Sequence, residues 1–343
     1  VALVEALRSR GIQAEGACGH SVGEVAAAWC CGALTLEQAV KVIHARSSEQ
    51  EVVRDLGSMA ALLLPAEAAL AAMEESGLPR LELAAINSPR SVTISGDTDS
   101  LDAFAKFARK KKWALRRLNL AYPFHSALVD PIREPLLTAL TGITPQEPTL
   151  PFYSTVEPET QGPTLDSDYW WRNVRQPVKF ADAISKMSED GFGVLVEIGP
   201  KAVLGTYMND VLRSDGKKAT VLASLEQPGK NNTPVQNPVA KVASAVVAHG
   251  GKVDLSRFVA PRPNALIKLP GYPWQNSPYM PDPTSERVDF MFGRTWPLLG
   301  YRLRQDVAEW FNHVDAVAIP WLADHKVESA GGFLATTLRG ERP

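Results

Sequence analysis

The sequence predicts an α/β fold in which a larger α/β unit is interrupted by a smaller βαββαβ unit. Three observations lead there. Residues 14–19 read as a strand that runs directly into Ser21 and a helix. Between residues 57 and 119 the apolar pattern switches to strand, helix, strand, strand, helix, strand. Beyond it the chain returns to helix, strand and helix, so the middle segment reads as an insertion.

Taken in order, Val1 to Arg10 carry the spacing of an amphipathic helix through Val1, Leu3, Val4 and Leu7. They have neither a starting Met nor the shape of a signal peptide, so the chain is expected to begin inside a domain. Thr35 with Gln38 three residues later is a capping box, and Leu36, Val40, Val42 and Ile43 give the following helix an apolar face. In the insertion, strands are expected over Ser58–Leu64, Leu81–Ile86, Ser91–Ser95 and Trp113–Leu118, with helices over Ala66–Glu75 and Ser100–Lys110. That order is a ferredoxin-like plait. A helix over His125–Thr141, a buried strand over Leu195–Ile198 and a helix over Ala202–Leu212 complete the larger unit.

Prolines and polar residues then accumulate between residues 214 and 289, broken by one helical stretch, Val239–Val247, and this reads as a linker with a packed helix. Short strand-like pieces, Asp315–Ile319 and Lys326–Glu328, belong to a further domain. The expected division is 1–56 with 120–213 for the larger unit, 57–119 for the insertion, 214–289 for the linker, and 290–343 for the start of the last domain.

Composition narrows the function. With 343 residues and 45% hydrophobic positions the chain can bury more than one core. Lys and Arg number 36 against 38 Asp and Glu, a balance that argues against nucleic acid as a partner. No apolar run reaches the ~20 residues needed to cross a bilayer, so no membrane role is expected. The three cysteines, Cys18, Cys30 and Cys31, suit neither a disulfide framework nor a metal site, which points to a reducing, cytoplasmic setting and no metal.

Chemistry concentrates at Gly19-His20-Ser21-Val22-Gly23, a GxSxG sequence at a strand-to-helix turn. There a serine hydroxyl is lifted out of the sheet, as on an α/β-hydrolase-like elbow, and the Val22 amide at the helix start can hold an oxyanion. The bland alternative is a glycine-rich turn whose serine caps the helix. A nucleophilic serine needs a base. His44 reads as exposed or packed, His249 as a helix end, and His20 as a packing residue next to the elbow. His125, in the loop where the chain leaves the insertion, is positioned to face the elbow. Arg46 lies on the helix after the elbow helix; its fork of donors suits an acyl group that itself carries a carboxylate.

Several ordered motifs together resemble the acyltransferase domain of modular type I polyketide synthases. They are GHSVGE (Gly19 to Glu24), Arg46-Ser47, Asn87-x-Pro89 ending in Ser95-Gly96, YPFHS (Tyr122 to Ser126), YWWRNVRQPVKF (Tyr169 to Phe180) and VEIGP (Val196 to Pro200). The resemblance implies transfer of an extender unit from malonyl-CoA or methylmalonyl-CoA, through an acyl-serine, to the phosphopantetheine thiol of an acyl carrier protein. It implies Ser21 as nucleophile, His125 as general base and acid, Arg46 as the clamp on the free carboxylate, and Asn173 as the residue that orients the histidine. No cofactor is implied on this chain itself. The YPFH segment mixes the family's malonyl and methylmalonyl patterns; Tyr122 and Phe124 are expected to line the acyl pocket, with Phe124 filling the space of a 2-methyl group and favouring malonyl. The family's upstream GQG-type loop is absent, consistent with an N-terminal truncation.

Leu269 to Gln275 resembles the linker that follows such acyltransferases, and WPLLG (Trp296 to Gly300) with PWLADHKV (Pro320 to Val327) resembles the start of a dehydratase hot-dog domain. By that match His325 is a dehydratase base, although Ser329 and Leu334 stand where the motif has Gly and Pro. Ketosynthase and dehydratase domains of the same parent chain are the implied neighbours. Two other readings use the same residues: a serine hydrolase or editing thioesterase, and an inactive scaffold fragment.

Overall fold

The computed structural model describes residues 1–160, 162–225, 237–258, 270–275, 301–302, 306–308 and 310–311. Two units are present, Val1–Asn264 and Ala265–Pro343.

The first unit opens with α1 (Ala2–Ser9), β1 (Ala17–Cys18), α2 (Gly23–Cys30) and α3 (Leu36–Glu49). The capping box forms as the sequence predicts: Thr35 accepts the Gln38 amide and the Gln38 side chain accepts the Thr35 N–H. The expected apolar face does not hold. Val42 is buried, but Leu36 and Val40 are 47% and 59% exposed and Ile43 is exposed too. The buried stripe is Ala39, Val42, Ala45 and Arg46, because small side chains let α3 approach the core closely enough to bring a guanidinium inside.

Next come β2 (Ser58–Leu62), α4 (Ala66–Ser76), β3 (Leu81–Ser88), β4 (Ser91–Gly96), α5 (Thr98–Lys110) and β5 (Leu115–Arg117). Asp97 starts α5 by accepting the Ser100 amide. The strands form one mixed sheet in the order β5-β2-β4-β3, with a fifth strand, β7 (Val178–Lys179), beyond β3. Ala60, Leu62, Val92 and Ile94 pack against Leu101 and Phe104 of α5 and Ala69 and Ala72 of α4.

Residues 127–132 form a 3₁₀ turn with Pro131 inside it, and only then does α6 (Arg133–Ala139) begin, so the expected helix from His125 starts later. Proline lacks the N–H that a regular helix would use there. β6 (Phe152–Tyr153) pairs in parallel with β1; α7 (Ser167–Arg175) follows, capped by Asp166. β7 (Val178–Lys179) pairs in parallel with β3, which ties that sheet to the segment after α7. A core of Val25, Leu34, Val42, Ile132, Leu136, Tyr169 and Trp170 joins α2, α3, α6 and α7.

The unit closes with α8 (Phe180–Glu189), β8 (Val194–Glu197), α9 (Gly205–Ser214), β9 (Thr220–Ala223) and α10 (Pro238–Ala248). Both β9 and α10 fall in the segment read as linker from residue 214; α10 is the packed helix expected there, and β9 was not expected. β9 pairs with β8 along four residue positions, and Val242, Ala243 and Val246 of α10 share a core with Leu7 and Ile12. In the second unit β10 (Tyr301–Arg302) pairs antiparallel with β11 (Trp310–Phe311). His325 and the WPLLG and PWLADHKV segments lie outside the described residues. Among those described, no helix is long and apolar enough to cross a membrane.

Glu197, in the VEIGP segment, accepts the amides of Val203, Leu204 and Gly205 at the start of α9. Replacing it by Ala should cost about 1–3 kcal/mol through the lost caps, read as a lower denaturant midpoint at unchanged slope.

Candidate active site

The turn between β1 and α2 is tight because Gly19 sits against the first turn of the helix. A Cβ there would lie 2.1 Å from the Glu24 nitrogen, so no side chain fits. Gly23 has open space around it, and only the first glycine of the motif is sterically required. Ser21 at the apex holds a left-handed backbone, φ 53°, which points its hydroxyl off the helix start. Val22 is the N-cap residue, 46% exposed; among the described residues its N–H meets no protein acceptor, so it can serve a ligand.

His125 is the other left-handed non-glycine residue of the site, φ 60°. Its backbone N–H donates to the Val174 carbonyl and its ring Nδ1 lies 2.8 Å from the Gln176 carbonyl. A carbonyl can only accept, so Nδ1 carries the ring hydrogen and Nε2 is the free acceptor. Nε2 stands 2.8 Å from Ser21 Oγ. The arrangement can take a proton from the serine and return it.

Arg46 is the third group. It is only 5% exposed, and Nη2 donates to Ser21 Oγ at 3.0 Å while its guanidinium carbon stands 5.6 Å from the centre of the Phe124 ring. Phe124 in turn stacks on Tyr122, whose hydroxyl is turned outward to donate to Glu51 at 2.6 Å. Burial lowers the Arg46 pKa to about 10, still charged at neutral pH, with Glu24 acting against the drop. Burial first and the Arg46 charge second push His125 down to about 3, so its imidazole is neutral in the free protein.

Asn173 does not orient His125. Its side chain faces the other way: Oδ1 accepts from Arg46 Nη1 at 2.5 Å, and Nδ2 donates to the Ser21 carbonyl at 3.2 Å and to Glu24 at 2.7 Å. The histidine is held by the carbonyl of Gln176, which is exposed where α7 ends. A backbone acceptor carries no side-chain signature, and sequence reasoning missed it. It also gave no role to Glu24, although a carboxylate directly after the elbow and before the apolar run Val25 to Trp29 is a signal worth reading.

Of the other histidines, three lie among the described residues and fall as expected. His20 donates to Asn87 and packs against Phe180, His44 is exposed, and His249 ends α10. The three cysteines are free thiols, and among the described residues no group of three or more His, Cys, Asp or Glu could hold a metal ion.

The family described as "Acyl transferase domain" matches residues 1–254. The chain is 35% identical to erythronolide synthase EryA2 of Saccharopolyspora erythraea over 83% of its own length and 8% of that protein's. It is 36% identical to the spectinabilin polyketide synthase system protein NorA' of Streptomyces orinoci over 95% of its length and 9% of the relative's. It thus spans less than a tenth of these two relatives. Among solved structures, the acyltransferase domain from module 8 of the salinomycin polyketide synthase superposes with a TM-score of 0.69 at 32% identity, covering 74% of this chain and 59% of that one. The malonyl CoA-acyl carrier protein transacylase of Clostridium perfringens gives 0.63 at 25% identity, covering 72% and 76%.

The depressed histidine has a stability signature. Between pH 6.5, the ordinary value, and about 3 the unfolded chain protonates this imidazole and the folded chain does not. Stability is therefore full above pH 6.5 and falls as pH drops through that window; His20, also lowered by burial, adds in the same direction. Imidazole resonances followed by NMR should show His125 still neutral at pH 5, about two units above the value its surroundings set.

Proposed function

The chain belongs to the acyl transferase domain family and is an acyltransferase of the polyketide synthase type; on that premise we propose that it moves a malonyl-type unit from coenzyme A, through an ester on Ser21, to the phosphopantetheine thiol of an acyl carrier protein. The observation that carries this reading is that Ser21 Oγ sits between two groups, 2.8 Å from His125 Nε2 and 3.0 Å from Arg46 Nη2. One is a base, and the other is a buried cation with no use in an ordinary esterase.

On this reading the steps balance as follows. Ser21 gives its proton to His125 and attacks the thioester carbonyl carbon, and the oxyanion develops at the Val22 N–H. Collapse breaks the C–S bond, and the departing coenzyme A thiolate takes the proton from His125. The carrier thiol then passes its proton to His125, attacks the acyl-serine, and leaves Ser21 protonated again. Arg46 pairs with the free carboxylate of the acyl group throughout. That pairing also offsets the positive charge that is the second cause of the low His125 pKa, so the base strengthens when the right acyl group is bound. No bound cofactor enters these steps; the phosphopantetheine belongs to the partner.

A serine hydrolase is the weaker reading. His125 is held by a neutral carbonyl and not by a carboxylate, and Arg46 occupies a place a hydrolase leaves to uncharged acyl groups. Several finer readings belong with the proposal. Residues 57–119 form an inserted ferredoxin-like subdomain, supported by the strand order β5-β2-β4-β3. By its sequence the segment from residue 290 resembles the start of a dehydratase domain with His325 as its base, and this reading implies ketosynthase and dehydratase domains as neighbours in one synthase.

Incubated with malonyl-CoA, the intact protein should gain one malonyl group on Ser21, found by peptide mass analysis, and lose it to added carrier protein faster than to water. Rapid release to water would favour the hydrolase. Phe124→Ser should open the acyl pocket: competed against malonyl-CoA, methylmalonyl-CoA should gain about tenfold in Ser21 acylation, within the ~1–3 kcal/mol that a methyl group commands in a pocket.

A further inference from the structure

Glu24 is a carboxylate with 0% exposure that takes no part in the steps above. A buried charge persists only when it is paired or saturated with hydrogen bonds. Glu24 is saturated. Oε1 accepts from the Thr155 backbone N–H and the Thr155 hydroxyl, and Oε2 accepts from the Tyr169 hydroxyl and Asn173 Nδ2. Both oxygens act as acceptors to two donors each, which is the pattern of an ionised carboxylate. Burial holds its pKa above the ordinary carboxylate value, and these four bonds limit the rise.

The Asn173 amide therefore has one permitted orientation. Its NH₂ faces the anion and the Ser21 carbonyl, and its oxygen faces Arg46 Nη1. Arg46 is buried as well and needs a compensating negative charge, yet it makes no ion pair with Glu24 among the described residues. An amide stands between them. Glu24 is near enough to raise the Arg46 pKa, and far enough that the guanidinium keeps its second arm, Nη2, directed at Ser21 Oγ.

We propose that Glu24 is a positioning residue that acts on Arg46 through Asn173: it fixes the amide with its oxygen toward the guanidinium, and so aims Arg46 at the acyl group while leaving its charge unspent for a carboxylate there. The inference deepens the proposed function and rests on it. A direct Glu–Arg ion pair would satisfy the guanidinium and compete with the acyl carboxylate; an amide spacer anchors it without neutralising it. Asn173 serves as the spacer because a side-chain amide offers an acceptor on one side and donors on the other.

Glutamine at position 24 cannot reproduce this arrangement. Its NH₂ would face the NH₂ of Asn173 or the Thr155 donors, forcing a flip or a lost bond, and Arg46 would lose its anchor. The readout is the ratio of Ser21 acylation rates with malonyl-CoA and with acetyl-CoA, measured by mass analysis on the intact protein, with circular dichroism and melting to establish folding. Glu24→Gln should lower that ratio about ten- to a hundredfold, the worth of a charge-assisted hydrogen bond. Asn173→Ala, which removes only the spacer, should lower it comparably, and the double variant should be no worse than either single one, since both cut the same path. Should Glu24→Gln not fold, the Asn173→Ala ratio decides alone. Ratios held at the wild-type value, including the case where both acylation rates fall together, overturn the inference, as do losses that multiply in the double variant. A wild-type protein without preference for malonyl-CoA would instead overturn the proposed function.

Discussion

The hydrogen bond between Ser21 and His125 has strained backbone at both ends, and most of the surrounding structure can be understood as what holds that strain in place. Each residue sits in the left-handed region without being glycine, a conformation that costs on the order of 1–3 kcal/mol and survives only when the neighbours over-determine it. At the serine, Gly19 lets the chain pass within contact of the first turn of α2, and Asn173 donates to the Ser21 carbonyl. At the histidine, the carbonyls of Val174 and Gln176 take the backbone N–H and the ring N–H. Arg175, between those two carbonyls in sequence, is tied to Glu82 on β3 and to Asp130 in the 3₁₀ turn. Both sides of the His125 loop are therefore fixed to the end of α7, and β7 fixes the next residues to the same sheet.

Charge makes a second layer over that geometry. Burial would favour neutral groups, yet α3 and α2 carry one cation and one anion inward, and the helix α7 supplies the amide that separates them. The same amide bonds the elbow backbone, so the position of the nucleophile and the aim of the cation are set by one side chain. Tyr169, on the same buried side of α7 as Asn173, donates to Glu24 and shares a hydrogen bond with Ser154, which makes the polar cluster part of the core and not an addition to it.

Much of this was legible in the sequence, and the failures have physical reasons. Ser21, His125 and Arg46 could be picked out because each has a side chain whose chemistry fits a place in the turn, loop or helix that the pattern predicts, and the structure brings all three together. The order of strands and helices between residues 57 and 119 was legible because they alternate with clear periodicity, and α3 began where its capping box said. What failed was partnership. Leu36, Val40 and Ile43 share a helix face, but apolar spacing says which residues lie together and not whether anything covers them. Asn173 was assigned to the wrong neighbour, because an amide can serve either group and only the anion beside it selects the orientation. β9 was missed because it is only four residues long and its parallel partner β8 lies more than twenty residues earlier, so nothing nearby in sequence marks the pairing.

On the proposed function, the distribution of charge gives the site a physical reason to prefer one acyl class. In a hydrolase triad the carboxylate stands behind the histidine, so the imidazolium formed during attack already has its counter-ion. Here a carbonyl stands there, and a buried anion, Glu24, is placed behind the arginine through an amide. The free site accordingly holds a guanidinium partly compensated and an imidazole with a depressed pKa. An acyl group that brings its own carboxylate to Arg46 supplies the negative charge on the side of the site that faces Ser21, and it does so at the moment His125 must become positive. An uncharged acyl group leaves two cations to develop side by side in a buried space, where their repulsion is poorly screened. Preference for a carboxylated unit then follows from the electrostatics of proton transfer as much as from the contact made in binding.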